Sequence, residues 1–157
     1  QRGCALYYES ICMVIDVYSD KTRQSALINT LISAPLKSTQ SIFANLTNSD
    51  SNVQLTTSVY YQIVTNLRIF SAFFRGLQTT DTGNHPLIPH IQKILDLCLK
   101  LTKQIPILLS QSTVGDEQKS SSDLQMNGND TNQVSLNVDM LYNAVCDIME
   151  CVLEIFG

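Results

Sequence analysis

The sequence predicts an all-α fold of about five helices, and three observations carry that reading. Five stretches repeat apolar residues at the three-and-four spacing of a helix face. None shows the sustained two-residue alternation of a half-buried strand. Between the stretches stand clusters of Pro, Gly, Asn and Ser, the residues that interrupt regular structure.

The first helix is expected from about Cys4 to Tyr18, with Cys4, Tyr7, Tyr8, Ile11, Val14, Ile15 and Tyr18 on one side. Ser19-Asp20 follows as a turn and a cap, because its side-chain oxygens can accept from the free N–H groups of the next first turn. The second helix is expected over about 20–46, with one stripe of Leu27, Leu31 and Ala34 and another of Ile28, Ile32, Leu36 and Phe43. Pro35 falls inside it and predicts a kink or a break, since proline has no N–H to donate and its ring crowds the preceding turn. The third helix, about Val53 to Phe74, carries Val59, Ile63, Leu67, Phe70 and Phe74 in register. Gly76 and Gly83 then bracket a polar loop that ends at Asn84-His85-Pro86.

Pro86 and Pro89 suit the opening turn of a fourth helix, where a missing N–H costs nothing. Its stripe of Ile88, Ile91, Leu95, Cys98, Leu99 and Thr102 runs to about Gln104, and Pro106 is expected to end or bend it. Residues 110–134 are almost wholly Ser, Asn, Gln, Gly and Asp, which predicts a disordered polar insert open to proteases, with a phosphorylatable Ser120-Ser121-Ser122 run. The fifth helix is expected over about 135–156, with Leu141, Val145, Ile148, Val152 and Ile155 in register and Gly157 as its cap.

Two architectures accommodate five such helices: a closed bundle, or a stretch of α-solenoid in which helices stack only on their neighbours. The apolar stripes are wide, and only 15% of the residues are charged against about 25% in a typical soluble domain. Both features favour helices covered from several sides, and so the solenoid. The chain begins at Gln1, which predicts a piece of a longer protein.

The net charge is −4, and the ten Lys and Arg form no cluster that could track a phosphate backbone, so no direct nucleic-acid partner is expected. No apolar run approaches the roughly 20 residues of a membrane-spanning helix, so no membrane role is expected. The five cysteines (Cys4, Cys12, Cys98, Cys146 and Cys151) lie in apolar helical stretches without a CxxC pair, and are expected as small hydrophobes in a reducing compartment.

The residues needed for catalysis are present only as scattered types. His85 and His90 are five apart and separated by proline, a spacing that aligns no pair of metal-ligating imidazoles. They read as a loop His and a surface His, and no metal or cofactor is expected. The sequence has no nucleophile elbow, P-loop or GxGxxG. Glu9, Asp16, Asp96, Asp139, Asp147, Glu150 and Glu154 are dispersed and read as the wet sides of helices. Tyr60, Tyr61 and Phe73 lie beside the third helix's main stripe and read as a second packing face, while Arg68 and Arg75 are single surface cations. No catalytic residue is assigned, and the chain is not expected to be an enzyme.

At this point the chain resembles the karyopherin-β superfamily of nuclear transport receptors, which are built from HEAT-type helix pairs. "LYYESICMVI" (Leu6 to Ile15) is similar to the Tyr-Glu-containing helix in the later repeats of exportins and transportin-SR-like importins. "DKTRQSALINTLISAPLKSTQSIFANL" (Asp20 to Leu46) is similar to the next repeat's first helix, with its proline after a Leu-rich run. "NHPLIPHIQKILDLCLKL" (Asn84 to Leu101) resembles the following repeat's opening, and "AVCDIMECVLEIFG" (Ala144 to Gly157) its second helix; the insert departs from the pattern.

The resemblance implies a solenoid segment of about two and a half repeats whose first, third and fifth helices line a concave side. That side would hold protein cargo or Ran-GTP, with nucleoporins as further partners, in a receptor shuttling between nucleus and cytoplasm. A generic HEAT- or armadillo-type scaffold subunit is the alternative, and an all-α enzyme domain a distant third.

Overall fold

A computed structural model describes residues 2–48, 55–78, 82–114 and 138–157. Among them are five α-helices and no strand: α1 (Arg2–Asp16), α2 (Lys21–Thr47), α3 (Thr57–Gly76), α4 (Ile88–Val114) and α5 (Asp139–Phe156), with a single 3-10 turn at Thr82–Asn84. The all-α expectation holds.

The helix starts follow local chemistry. Asp20 caps α2 by accepting from the backbone N–H groups of Thr22 (3.0 Å) and Arg23 (3.1 Å), as the Ser19-Asp20 pair predicts. Thr56 does the same for α3 through Val59 N–H. Residues 49–54 lie outside the described part, and α3 begins at Thr57, four residues later than expected.

Of the outcomes expected at the two prolines, a kink or a break at Pro35 and an end or a bend at Pro106, the break and the end are corrected. Pro35 does not break α2, which runs unbroken through it to Thr47. Pro106 does not end α4, which continues to Val114. An interior proline costs about 3 kcal/mol, whereas one fully buried aliphatic side chain returns about 1.5–3 kcal/mol. In α4 the buried residues Leu101 and Ile105 are followed by the partly buried Leu108 and Leu109, so the packed face crosses the proline. In α2, Pro35 is itself buried, and Thr39 Oγ donates to its carbonyl (2.8 Å). The expected insert is therefore corrected at its start: residues 110–114 are helical, and the proposed protease and phosphorylation region from 115 to 134 lies outside the described residues.

Helix order in space follows from the contacts. α3 is central and packs most closely on α1 and α5, which make no comparable contact with each other. Tyr8 meets Phe73, Cys12 meets Gly76, and the Asp16 carboxylate accepts from the backbone N–H of Gln78, so α1 and α3 run in the same direction. Tyr60 bonds to the backbone at Leu141 and Arg75 reaches Cys151, so α5 is parallel to them as well. α2 runs the other way: it starts beside the C-terminal end of α1 and brings Thr39 to Asn66, midway along α3. α4 starts beside Asn29 of α2. The result is one row of three parallel helices, α1, α3 and α5, backed by α2 and α4.

The core lies along α3, where Tyr60, Ile63, Val64, Leu67, Phe70 and Phe73 are wholly buried. Tyr60 and Phe73 are thus the second packing face expected of them, with Tyr61 half-buried beside it. The α4 stripe is corrected. Ile94, Leu97, Cys98, Leu101 and Ile105 face inward, while Ile88 and Leu99 are exposed. α4 is apolar on several sides, so periodicity alone does not decide which side is covered.

The end of α1 is tied down by a side chain. Gln24 of α2 is buried, and its amide nitrogen donates to the carbonyls of Ile15 (3.2 Å) and Asp16 (3.3 Å). A helix C-terminus leaves its last carbonyls without intrahelical donors, and Gln24 supplies one. Gln24→Ala is expected to cost about 2 kcal/mol, the price of leaving such carbonyls unserved. The midpoint of urea unfolding measures it.

Candidate protein-interaction surface

The surface that stands out is the outer side of α1. Tyr7, Val14 and Val17 are 65%, 66% and 84% exposed, and Leu6, Met13 and Tyr18 are exposed beside them. The expected single stripe of this helix is split by the structure. Ile15 and Cys12, the latter outside the expected stripe, are buried against the rest of the protein, Tyr8 and Ile11 are partly buried there, and Tyr7, Val14 and Tyr18 face outward. A groove of about 510 Å³ runs between this outer side and α2, walled by Tyr7, Ile11, Val14, Tyr18, Leu27 and Leu31. A second hollow at Val14, Val17, Tyr18 and Ser19 continues it around the end of α1.

Two elements set the groove's shape. The Gln24 amide and the Asp16 carboxylate fix the end of α1 against the start of α2 and the exit of α3. Arg23 lies over the Tyr18 ring at 5.6 Å, a cation–π contact that holds the aromatic edge of the groove. With largely apolar walls and hydroxyl-bearing residues at Tyr7, Ser10, Tyr18 and Thr30, the groove can bind an apolar side-chain row.

The histidines do structural work. His85 is buried and accepts at Nδ1 from Leu87 N–H (3.2 Å), so Nε2 carries the proton toward the Leu77 carbonyl (3.3 Å), and the ring stands edge-on to Phe156 at 5.3 Å. His90 is not the surface residue its position predicts. It is half-buried, its Nε2 lies 2.6 Å from Asn29 Oδ1, and its buried Nδ1 has no hydrogen-bond partner. Burial lowers the pKa of both rings, with Lys93 adding to the effect at His90.

A histidine depressed below its ordinary value of 6.5 binds fewer protons folded than unfolded, so folding stability rises with pH across that window. The contribution of the two rings is complete above about pH 6.5 and is lost as the pH falls toward their folded values. Thermal denaturation at about pH 7.5 and about pH 5.5 is expected to show a lower Tm in acid, with the slope reduced in His85→Gln/His90→Gln.

The cysteines divide. Cys12, Cys98 and Cys151 are buried, as suits small hydrophobes, whereas Cys4 and Cys146 are exposed. Burial pushes the Cys12 thiol up to about 12, with Asp16 and Glu9 adding to the rise, and pushes Cys98 up to about 12. Neither offers a thiolate near neutral pH. Arg75 is held by Glu9 (3.2 Å) across α1 and α3 and so is not a free surface cation. Among the described residues no three His, Cys, Asp or Glu side chains gather as a metal site, and no helix is long and apolar enough to cross a membrane. No protein-family model, curated protein or solved structure significantly matches the chain.

Proposed function

We propose that this chain is a stretch of α-solenoid that works by binding proteins, and that it belongs to a nuclear transport receptor of the kind its sequence resembles. The observation that carries the solenoid part is the parallel row α1, α3, α5 with α2 and α4 behind it. Helices two apart in sequence lie side by side and run the same way, as in stacked helix pairs; in a closed up-and-down bundle the first and last helices also meet. The transport part rests on the resemblance alone.

On this reading the mechanism is linkage. Cargo and Ran-GTP favour different curvatures of the stacked repeats, so binding of one changes the affinity for the other. The row of α1, α3 and α5 is the side assigned to those partners, and the receptor shuttles between nucleus and cytoplasm. The test is capture of the tagged protein from its own cells on Ran locked with GTP or with GDP. Retention on the GTP form alone is the expected result. Equal or no retention on both removes the transport reading and leaves a scaffold subunit.

A further inference from the structure

The fold separates charges that the sequence disperses. α2 and α4 carry six cations, Lys21, Arg23, Lys37, Lys93, Lys100 and Lys103, against one carboxylate, Asp96. The row of α1, α3 and α5 carries three cations against six carboxylates. The overall charge of −4 thus hides a basic side that backs an acidic row.

Three of the lysines edge one seam. α2 and α4 both run back from the end of the molecule at which α1, α3 and α5 stop, and His90 of α4 meets Asn29 of α2. From that contact each helix advances about 1.5 Å per residue. Lys37, eight residues past Asn29, therefore comes level with the stretch between Lys93 and Lys100, three and ten residues past His90. Lys93 and Lys100 are seven apart and share the flank of α4 on which His90 faces α2. All three lysines are exposed, and among the described residues none is in an ion pair. α2 has no carboxylate from Lys21 to Thr47 to answer them. The His90 Nε2–H donates to Asn29 Oδ1, which holds that exposed amide in place and leaves its own N–H groups for another acceptor. Both walls of the seam are described, and further helix pairs at either end of the row would stack beside α2 and α4, not over them.

We propose that the outer seam of α2 and α4 docks an acidic protein segment, a run of Asp and Glu laid along Lys37, Lys93 and Lys100 with the Asn29 amide as a further donor. The acidic row on the other side repels such a segment, so charge selects the face as well as the partner. A peptide suits the seam better than nucleic acid does. No aromatic ring stands beside these lysines for a base to stack on, and α4 has no arginine to grip a phosphate with two N–H groups. The seam lies opposite the row assigned to cargo and Ran-GTP. It depends only on the two-layer arrangement of the helices, so peptide binding and Ran capture can fail separately.

Fluorescence anisotropy of a labelled peptide of alternating Glu and Ser, titrated with the 157-residue chain, tests it. Saturable binding is expected, weakening at least about tenfold as salt rises from about 0.05 to about 0.5 M. Lys93→Glu/Lys100→Glu is expected to weaken it about tenfold or more, and Lys37→Glu about threefold. The three positions are exposed, and helical circular dichroism checks that each variant folds. A peptide of alternating Lys and Ser is expected not to bind at the seam, so its affinity should be the same for the wild type and Lys93→Glu/Lys100→Glu. Absence of saturable binding by the wild type overturns the proposal, as does equal binding by Lys93→Glu/Lys100→Glu. Single-stranded DNA or phosphatidylserine vesicles held as tightly through the same lysines would show a general polyanion surface and overturn it too. Peptide binding that emerges only in Asp116→Asn/Glu117→Gln/Asp123→Asn/Asp130→Asn would assign the seam to the chain's own acidic stretch, and so against a separate partner.

Discussion

Phe73→Ala is expected to destabilise the protein by about 4 kcal/mol, the range for emptying a fully buried aromatic site. Phe73 is wholly buried, and its ring packs on Tyr8 of α1 at 5.5 Å, so the vacated space opens between α1 and α3. The way the loss is distributed is as informative as its size. In a row where each helix meets only its neighbours, stability is a sum of local and nearest-neighbour contributions, and the damage stays near the cavity. Hydrogen exchange is therefore expected to quicken in α1 and the start of α2 well before α5 is affected. A uniform loss of protection from α1 through α5 would instead indicate one closed cooperative core.

Much of this arrangement was legible in the residues, for reasons that differ between elements. The stripe of Val59, Ile63, Leu67, Phe70 and Phe74 identifies α3 because the helix packs between α1 and α5, which leaves Val59 partly buried and the other four inside. Asp20 identifies the start of α2 because a cap is a local bond within three residues. Where the outcome depends on distant partners, the residues alone mislead. Pro106 reads as an end or a bend, and α4 does not end there because Leu101 and Ile105 before it and Leu108 and Leu109 after it pack inward. Val14 reads as core, yet it is 66% exposed, because among the described residues α1 is packed only on the side that faces α2 and α3.

The candidate surface shows the same limit from the other direction. A helix with an apolar arc wider than one neighbour can cover announces either a second neighbour or a docking face, and sequence periodicity does not distinguish them. The separation of Cys12 and Ile15 from Tyr7 and Val14 into two sides became visible only once α3 was placed. His90 is similar: its contact with Asn29 joins α4 to α2 across 61 residues, and no local signal marks it.

Gly76→Ala is expected to cost about 3 kcal/mol, at the upper end of the usual overpacking range. Gly76 was legible only as the border of a loop, but it is the last residue of α3 and lies against α1. A Cβ built there would sit 2.5 Å from the Cys12 Cβ and 2.6 Å from the Glu9 carbonyl oxygen. Neither is the tip of a flexible side chain, so relief requires the two helices to move apart. That movement would disturb three contacts of the same junction together: the Arg75–Glu9 pair, the Tyr8–Phe73 packing and the bond from Gln78 N–H to Asp16. Where no contact opposes it, Gly→Ala at a compatible backbone position ordinarily stabilises by about 0.4–1 kcal/mol, so the sign itself is diagnostic. A lower Tm for Gly76→Ala marks close helix contact as the dominant effect, and an unchanged or higher Tm would mean that α1 does not approach α3 at this point. Cys12→Gly alone should not rescue it, because the Glu9 carbonyl still blocks the site.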